Sequence, residues 1–115
     1  MSEIKQVDVL IGGQGAAAFA AGLYSARYQV NTLIAGEQFG GETAIGGMIE
    51  NYPGQPDMDG FDLMMKFKEQ VDKLETPTAY SNLKTATKNG DVFRVVLDDG
   101  TEIDAISVIL AVGRE

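Results

Sequence analysis

An α/β fold built on a parallel sheet is what this sequence predicts, and three observations predict it. Short, almost uninterrupted apolar runs stand at residues 7–11, 30–35 and 106–112. An alanine-rich stretch with helical character separates the first two, and glycine follows the first and the last. Runs of this kind fit strands buried on both faces, the usual state in a parallel sheet. With 115 residues there is room for one domain, and 44% hydrophobic against 23% charged residues gives the balance of a chain that buries a core.

Val7 to Ile11 is the first strand, and Gly15 to Tyr28 is the helix, its alanines allowing close packing on a flat surface. Val30 to Ala35 returns as the second strand, so the first third of the chain is a βαβ unit. Residues 36–60 show no periodicity and hold seven glycines and two prolines, the composition of a long loop that is functional or disordered. Phe61, Met64, Phe67, Val71 and Leu74 then recur at spacings of three and four, which predicts an amphipathic helix capped near Asp59 or Gly60, with Met64 and Met65 filling core space rather than forming a binding surface. Thr76 to Leu83 is a candidate third strand. From Lys84 onward, Asn89-Gly90 and Asp98-Asp99-Gly100 are turn signals around the β-prone Phe93 to Leu97. They predict a three-stranded antiparallel meander ending with Thr101 to Asp104, after which Ile106 to Val112 forms a separate, buried closing strand.

Charge and missing residue types narrow the chemistry. Nine basic residues face seventeen acidic ones, and a net charge of −8 repels nucleic acid and anionic membranes. Without cysteine there is neither a disulfide framework nor a thiol nucleophile, and without histidine there is no imidazole metal site or His-based triad. No residue has a convincing partner for proton transfer or nucleophilic attack, so no catalytic residue and no metal ligand is assigned. Residues 1–8 lack the basic start of a signal peptide, and the apolar stretch 16–24 is too short to span a bilayer, so a cytoplasmic location is expected.

Chemistry concentrates in Gly13-Gln14-Gly15-Ala16-Ala17-Ala18, which matches G-x-G-x-x-G/A. The first small residue permits the tight turn out of a strand, the second lets backbone approach a pyrophosphate, and the third lets helix and strand pack closely. The phosphates then meet the unpaired N–H groups and positive dipole end of the helix. Glu37 lies nineteen residues past Ala18, near the spacing of a carboxylate that binds ribose hydroxyls. The alternative is a purely structural turn followed by a surface glutamate. The strand before and the helix after favour dinucleotide binding.

Three further segments carry a resemblance: Tyr24-Ser25-Ala26-Arg27, Gly36-Glu37-Gln38-Phe39-Gly40-Gly41-Glu42-Thr43, and Glu50-Asn51-Tyr52-Pro53-Gly54. Together with the helix, meander and closing Ala111-Val112-Gly113, they resemble the N-terminal FAD segment of thioredoxin reductase-like pyridine nucleotide–disulfide oxidoreductases, over essentially the whole chain. In that family electrons pass from NAD(P)H through flavin to a disulfide or other acceptor. The resemblance implies that Gly13, Gln14, Gly15, Ala16, Ala17 and Ala18 carry the FAD pyrophosphate and that Glu37 or Gln38 meets the adenosine. It also implies that Gly41, Glu42 and Thr43 run beside the flavin-side phosphate and ribityl chain. Asn51 would face the isoalloxazine, with a turn residue bonding its own backbone as the alternative. Ala111, Val112 and Gly113 would bring backbone close to the cofactor.

Three positions depart from the family pattern: Gly12 replaces a bulky apolar residue, Glu42 a glutamine and Val112 a threonine. The stretch after Gly40-Gly41 holds no cysteine pair, unlike the glutathione reductase type. The resemblance implies one domain over residues 1–115, the first part of an FAD-binding domain, without the family's NADPH domain or C-terminal FAD segment. NAD(P)H is accordingly expected only with that absent domain. Residues 106–112 would then expose an edge, and a homodimer through them, or pairing with a second chain, is expected. Two further readings fit the same residues: a stand-alone FAD or adenine-dinucleotide module acting with a second chain, and an engineered fragment without catalytic activity of its own.

Overall fold

A computed structural model describes residues 4–113. In chain order the elements are β1 (Lys5–Gly12), α1 (Ala16–Arg27), β2 (Thr32–Ala35), α2 (Gly41–Ile45), β3 (Met48–Ile49), β4 (Met58–Asp59), α3 (Gly60–Asp72), β5 (Thr78–Ala79), β6 (Leu83–Asn89), β7 (Val92–Leu97) and β8 (Glu102–Leu110). Six strands form one mixed sheet in the order β5-β2-β1-β8-β7-β6, and β3 and β4 make a separate small hairpin.

The apolar run of β1 is central because it is paired on both sides. β2 runs parallel to it from Val9↔Thr32 to Gly12↔Ala35, and β8 runs parallel from Lys5↔Ile103 to Gly12↔Leu110. Leu10 and Ile11 are fully buried on opposite faces, as successive strand residues must be. Leu10 belongs to a cluster with Leu33 and Ala35 of β2 and with Val95, Leu97, Ile103 and Ala105 of the meander. Ile11 belongs to the other, with Ile34, Ala18 and Phe19 of α1, and Met64 and Val71 of α3. Helices therefore cover one face of the parallel strands and the meander covers the other. Full burial of each large aliphatic chain here stabilises the fold by about 1.5–3 kcal/mol.

Several expectations need correction. Thr101 to Asp104 and Ile106 to Val112 are not two strands: β8 runs unbroken from Glu102 to Leu110. Its first part pairs antiparallel with β7, from Phe93↔Ala105 to Val96↔Glu102, while Ile103 to Leu110 follows β1. Ala105 marks the change from polar alternation to an apolar run, and a strand passing from the meander into the parallel layer explains both halves. The closing run is also not buried on both sides, since Ile106 and Leu110 are 61% and 66% exposed. The third strand shrinks to Thr78–Ala79, which pairs with Ile34 and Ala35. The loop 36–60 contains α2 and the β3–β4 hairpin.

α3 starts where expected. The Asp59 carboxylate accepts a hydrogen bond from the Phe61 N–H at 3.0 Å, a cap that contributes about 1 kcal/mol. Its buried side chains are Leu63, Met64 and Val71, whereas Phe61, Met65 and Leu74 are 41–48% exposed. The apolar stripe is thus rotated from the one the spacing suggests. Phe61 packs edge-on against Phe39 at 5.4 Å, and Phe39 in turn meets Phe19 of α1 at 5.9 Å. This aromatic chain anchors the segment after β2 to both helices.

Gly12 tests the end of β1. A Cβ there would meet Val112 Cγ1 at 3.7 Å and Leu83 Cβ at 3.8 Å, both ordinary contacts. Gly12→Ala is therefore expected to stabilise the chain by roughly 0.5–1 kcal/mol, because a strand glycine gives up backbone entropy without packing in return. Chemical denaturation checks this, and a lower midpoint for the variant would show hidden strain at Gly12.

Candidate functional site

The C-terminal ends of β1, β2 and β8 open into one cleft of about 890 Å³, within the roughly 300–1,000 Å³ range of small-molecule sites. It sits where the chain leaves β1 for β2 on one side while β8 occupies the other, the position at which open α/β sheets bind ligands. Of the residues singled out from sequence, Gly13, Gln14, Gly15, Ala16, Ala17, Glu37, Gln38, Gly41, Glu42, Thr43, Ala111, Val112 and Gly113 all line it. Four stretches far apart in sequence meet there.

The floor is the turn from β1 into α1, held by bonds to the segment at and beyond the end of β2. Gly13 N–H donates to the Ala35 carbonyl at 2.7 Å, Gly40 N–H donates to the Gln14 carbonyl at 2.7 Å, and Gln14 Nε2 donates to the Gly36 carbonyl at 2.5 Å. Gln14 is 3% exposed and its Oε1 has no partner among the described residues. The side chain ties the turn to the end of β2.

Gly13 and Gly15 do different work. Gly13 has φ +128°, and a Cβ on it would overlap the Ala111 carbonyl oxygen, so β8 approaches the turn only because Gly13 has no side chain. Gly15 has φ −92° and ψ −168°, extended backbone open to any residue, and a Cβ there would meet nothing within 4 Å. Its missing side chain leaves space in the cleft. Helical bonding in α1 begins with Phe19 N–H to the Gly15 carbonyl at 3.1 Å, and no side chain caps the helix. The first-turn amides before Phe19 thus lack helical acceptors at the cleft floor.

Glu37 stands on the opposite wall with a partner that sequence reasoning missed. Its backbone N–H donates to Asn82 Oδ1 at 2.9 Å, and Asn82 Nδ2 donates to Glu37 Oε2 at 3.3 Å. Asn82 lies 45 residues away and lines the cleft itself, together with Leu83, Ile45, Ala35, Gly36 and Gly40. The reciprocal pair fixes the carboxylate while leaving acceptor capacity on both oxygens. Nothing in the sequence around Asn82 signals this role.

Two residues stand apart. Ala18 is fully buried beside Ile11 and Ile34 and serves the packing of α1 on the sheet, as the third small position of the motif requires. Asn51 is exposed and outside the cleft lining, and its side chain makes no hydrogen bond among the described residues.

Among the described residues no basic side chain lines the cleft, and the charged ones that do are Glu37 and Glu42. An anionic ligand there would rely on backbone N–H groups and the α1 dipole, which suits a pyrophosphate approached by main chain. The open space at Gly15, the free first-turn amides and the clamped carboxylate across the cleft fit the ADP half of FAD. Glu42 fits it less well, since a carboxylate beside phosphate adds like charge.

Known proteins of similar sequence and structure include thioredoxin reductases. No protein-family model matches the chain. It is 38% identical over 107 residues to thioredoxin reductase of Mycoplasma pneumoniae, covering 92% of this chain and 34% of that protein. It is 35% identical over 116 residues to thioredoxin reductase of Bacillus subtilis, covering 100% of this chain and 36% of the relative. Among solved structures, thioredoxin reductase of Streptococcus pyogenes superposes with a TM-score of 0.90 at 32% identity, over 98% of this chain and 37% of that one. That of Lactococcus lactis gives 0.90 at 33%, over 95% and 36%. The chain spans about a third of the length of the thioredoxin reductases it matches. Over nearly all its length this chain is similar in sequence to a part of thioredoxin reductases, and its sheet superposes on the corresponding part of theirs.

Proposed function

We propose that the cleft binds the ADP half of FAD and that the chain is the FAD-binding part of an NAD(P)H-dependent, thioredoxin reductase-like oxidoreductase. The observation that carries this reading is the pairing of an uncapped α1 and open Gly15 on one side with the Asn82-clamped Glu37 on the other. The Gly13–Ala17 turn would receive the pyrophosphate, Glu37 the ribose hydroxyls, and Gly41 to Thr43 with Ala111 to Gly113 the part of the cofactor beyond the phosphates. When bound, FAD would supply two-electron redox chemistry between a nicotinamide and a disulfide or other acceptor. This chain's own contribution is to bind and orient. Residues 1–115 are read as one FAD-binding domain acting with NADPH-binding and C-terminal FAD segments, in the cytoplasm; among the described residues no helix is long and apolar enough to cross a membrane.

Glu42 gives a test of how the cofactor lies. Its exposed carboxylate lines the cleft in the first turn of α2. Glu42→Gln removes like charge and is expected to tighten FAD binding roughly three- to ten-fold at low salt, with a smaller gain as salt rises. Flavin fluorescence titration of parent and variant reads this directly. An unchanged dissociation constant at low salt would place the FAD phosphates away from α2.

A further inference from the structure

We infer that Asn82 is a positioning residue for ribose recognition, holding the Glu37 carboxylate in the orientation from which it accepts bonds from the ribose hydroxyls. The inference rests on the assignment of the cleft to the ADP half of FAD, and adds to it a residue that acts through Glu37. Glu37 is exposed, and an unheld side chain of its length loses rotamer freedom when a ligand fixes it. Asn82 imposes that order before any ligand arrives. Preorganisation of this kind raises affinity without a new ligand contact.

The bonding uses both ends of the Asn82 amide on one residue. Oδ1 accepts from the Glu37 backbone N–H at 2.9 Å, while Nδ2 donates to Glu37 Oε2 at 3.3 Å. A carboxamide does both. A carboxylate in its place would accept from the N–H but repel the Glu37 side chain, and an aliphatic group would do neither. With Nδ2 on Oε2, the other oxygen and a second lone pair on Oε2 remain, which is the acceptor pattern that a pair of adjacent hydroxyls needs.

Asn82 is in turn held by the fold. The turn between β7 and β8 grips residues 81 and 82: Asp98 N–H donates to the Asn82 carbonyl at 2.9 Å, and Asp99 N–H donates to the hydroxyl of the buried Ser81 at 3.1 Å. That turn is itself closed, since Thr101 N–H donates to the Asp99 carboxylate at 2.9 Å. On the side of β2, Gly36 N–H donates to the Ala79 carbonyl at 2.9 Å, so residues 36–37 are stitched to 79–82 at two points. The meander thereby buttresses the wall that faces the pyrophosphate turn, and Asn82 is the side chain through which it does so.

Calorimetric titration of the 115-residue chain with ADP and with 2′,3′-dideoxy-ADP separates this role from a purely structural one. The parent is expected to prefer ADP by about thirty-fold, the worth of hydroxyl bonds to a fixed carboxylate. Asn82→Ala is expected to cut that preference by about five- to ten-fold, through weaker ADP binding with dideoxy-ADP unchanged. In a Glu37→Ala background the same substitution should change nothing further. Asn82→Asp keeps the size and the bond from the Glu37 N–H but sets two carboxylates together, so it should lose at least as much preference; it carries the test if circular dichroism shows Asn82→Ala unfolded. A preference left intact in the folded variants overturns the positioning role alone. So does an equal loss for both nucleotides, or a loss from Asn82→Ala that persists without Glu37, which would mean direct contact with the ligand. A parent that binds both nucleotides equally removes Glu37 from the ribose, and one that binds neither overturns the reading of the cleft; the inference falls with either.

Discussion

Gly15→Val is expected to abolish FAD binding while leaving the fold intact. The backbone at Gly15 is extended, a conformation that β-branched residues favour, and a Cβ built there touches nothing within 4 Å. A Cβ there clashes with nothing, so the cost is that of a poorer residue at the N-cap of α1, and the melting temperature should fall by only about 5 °C. The same open space is where a pyrophosphate must lie to reach the first-turn amides of α1. Two methyl groups fill it and keep the phosphates from those amides. A loss of affinity on the order of a hundredfold or more, close to 3 kcal/mol, is expected by flavin fluorescence. Equal affinity in parent and variant would show that the phosphates bind elsewhere.

Gly13→Ala is expected to damage the fold itself. The motif gives Gly13 the tight turn, and the structure adds a close approach: φ is +128° and an added carbon would overlap the Ala111 carbonyl oxygen. Relief requires β8 to move from the end of β1, against the Ala111 N–H to Gly12 carbonyl bond at 2.8 Å. Backbone strain and displacement together cost roughly 2–4 kcal/mol, against the 5–15 kcal/mol that holds a typical domain folded. A fall in melting temperature of about 10 °C or more follows for a chain of this size. Stability unchanged by Gly13→Ala would mean that β8 does not approach the turn as closely as described.

The contrast between these two glycines marks where sequence reading reaches its limit here. Periodicity and turn chemistry suffice for β1, α1, β2, the α3 cap at Asp59 and the hairpin at Asn89-Gly90, because each is governed by local signals. The motif locates the cleft floor for the same reason. It separates the turn at Gly13 from the phosphate approach at Gly15, but it does not show that Gly13 must also admit Ala111, which only the β1–β8 pairing brings near. Asn82 escapes notice because it reaches Glu37 through the fold, from 45 residues away. α2 and the β3–β4 hairpin are too short to show a period, and they are positioned from outside: Gly60 N–H donates to the Gly47 carbonyl at 2.8 Å. β8 reads as two elements because its polar first half and apolar second half differ in pattern. They share one strand with different neighbours. The exposure of Ile106 and Leu110 follows from the same geometry, since an apolar run is buried only where a second layer or strand covers it.

The most direct measurement of the central claim is a titration of the purified 115-residue chain with FAD, with ADP as competitor. Flavin fluorescence and gel filtration report whether cofactor stays with protein, and circular dichroism reports whether the chain is folded throughout. Saturable binding of one FAD per chain, displaced by ADP, is expected, because the Gly13–Ala17 turn and Glu37 address the part of the cofactor that ADP shares. A folded chain that takes up no FAD, or that holds FAD in a way ADP cannot compete with, would contradict the assignment of this cleft to the ADP half of the cofactor.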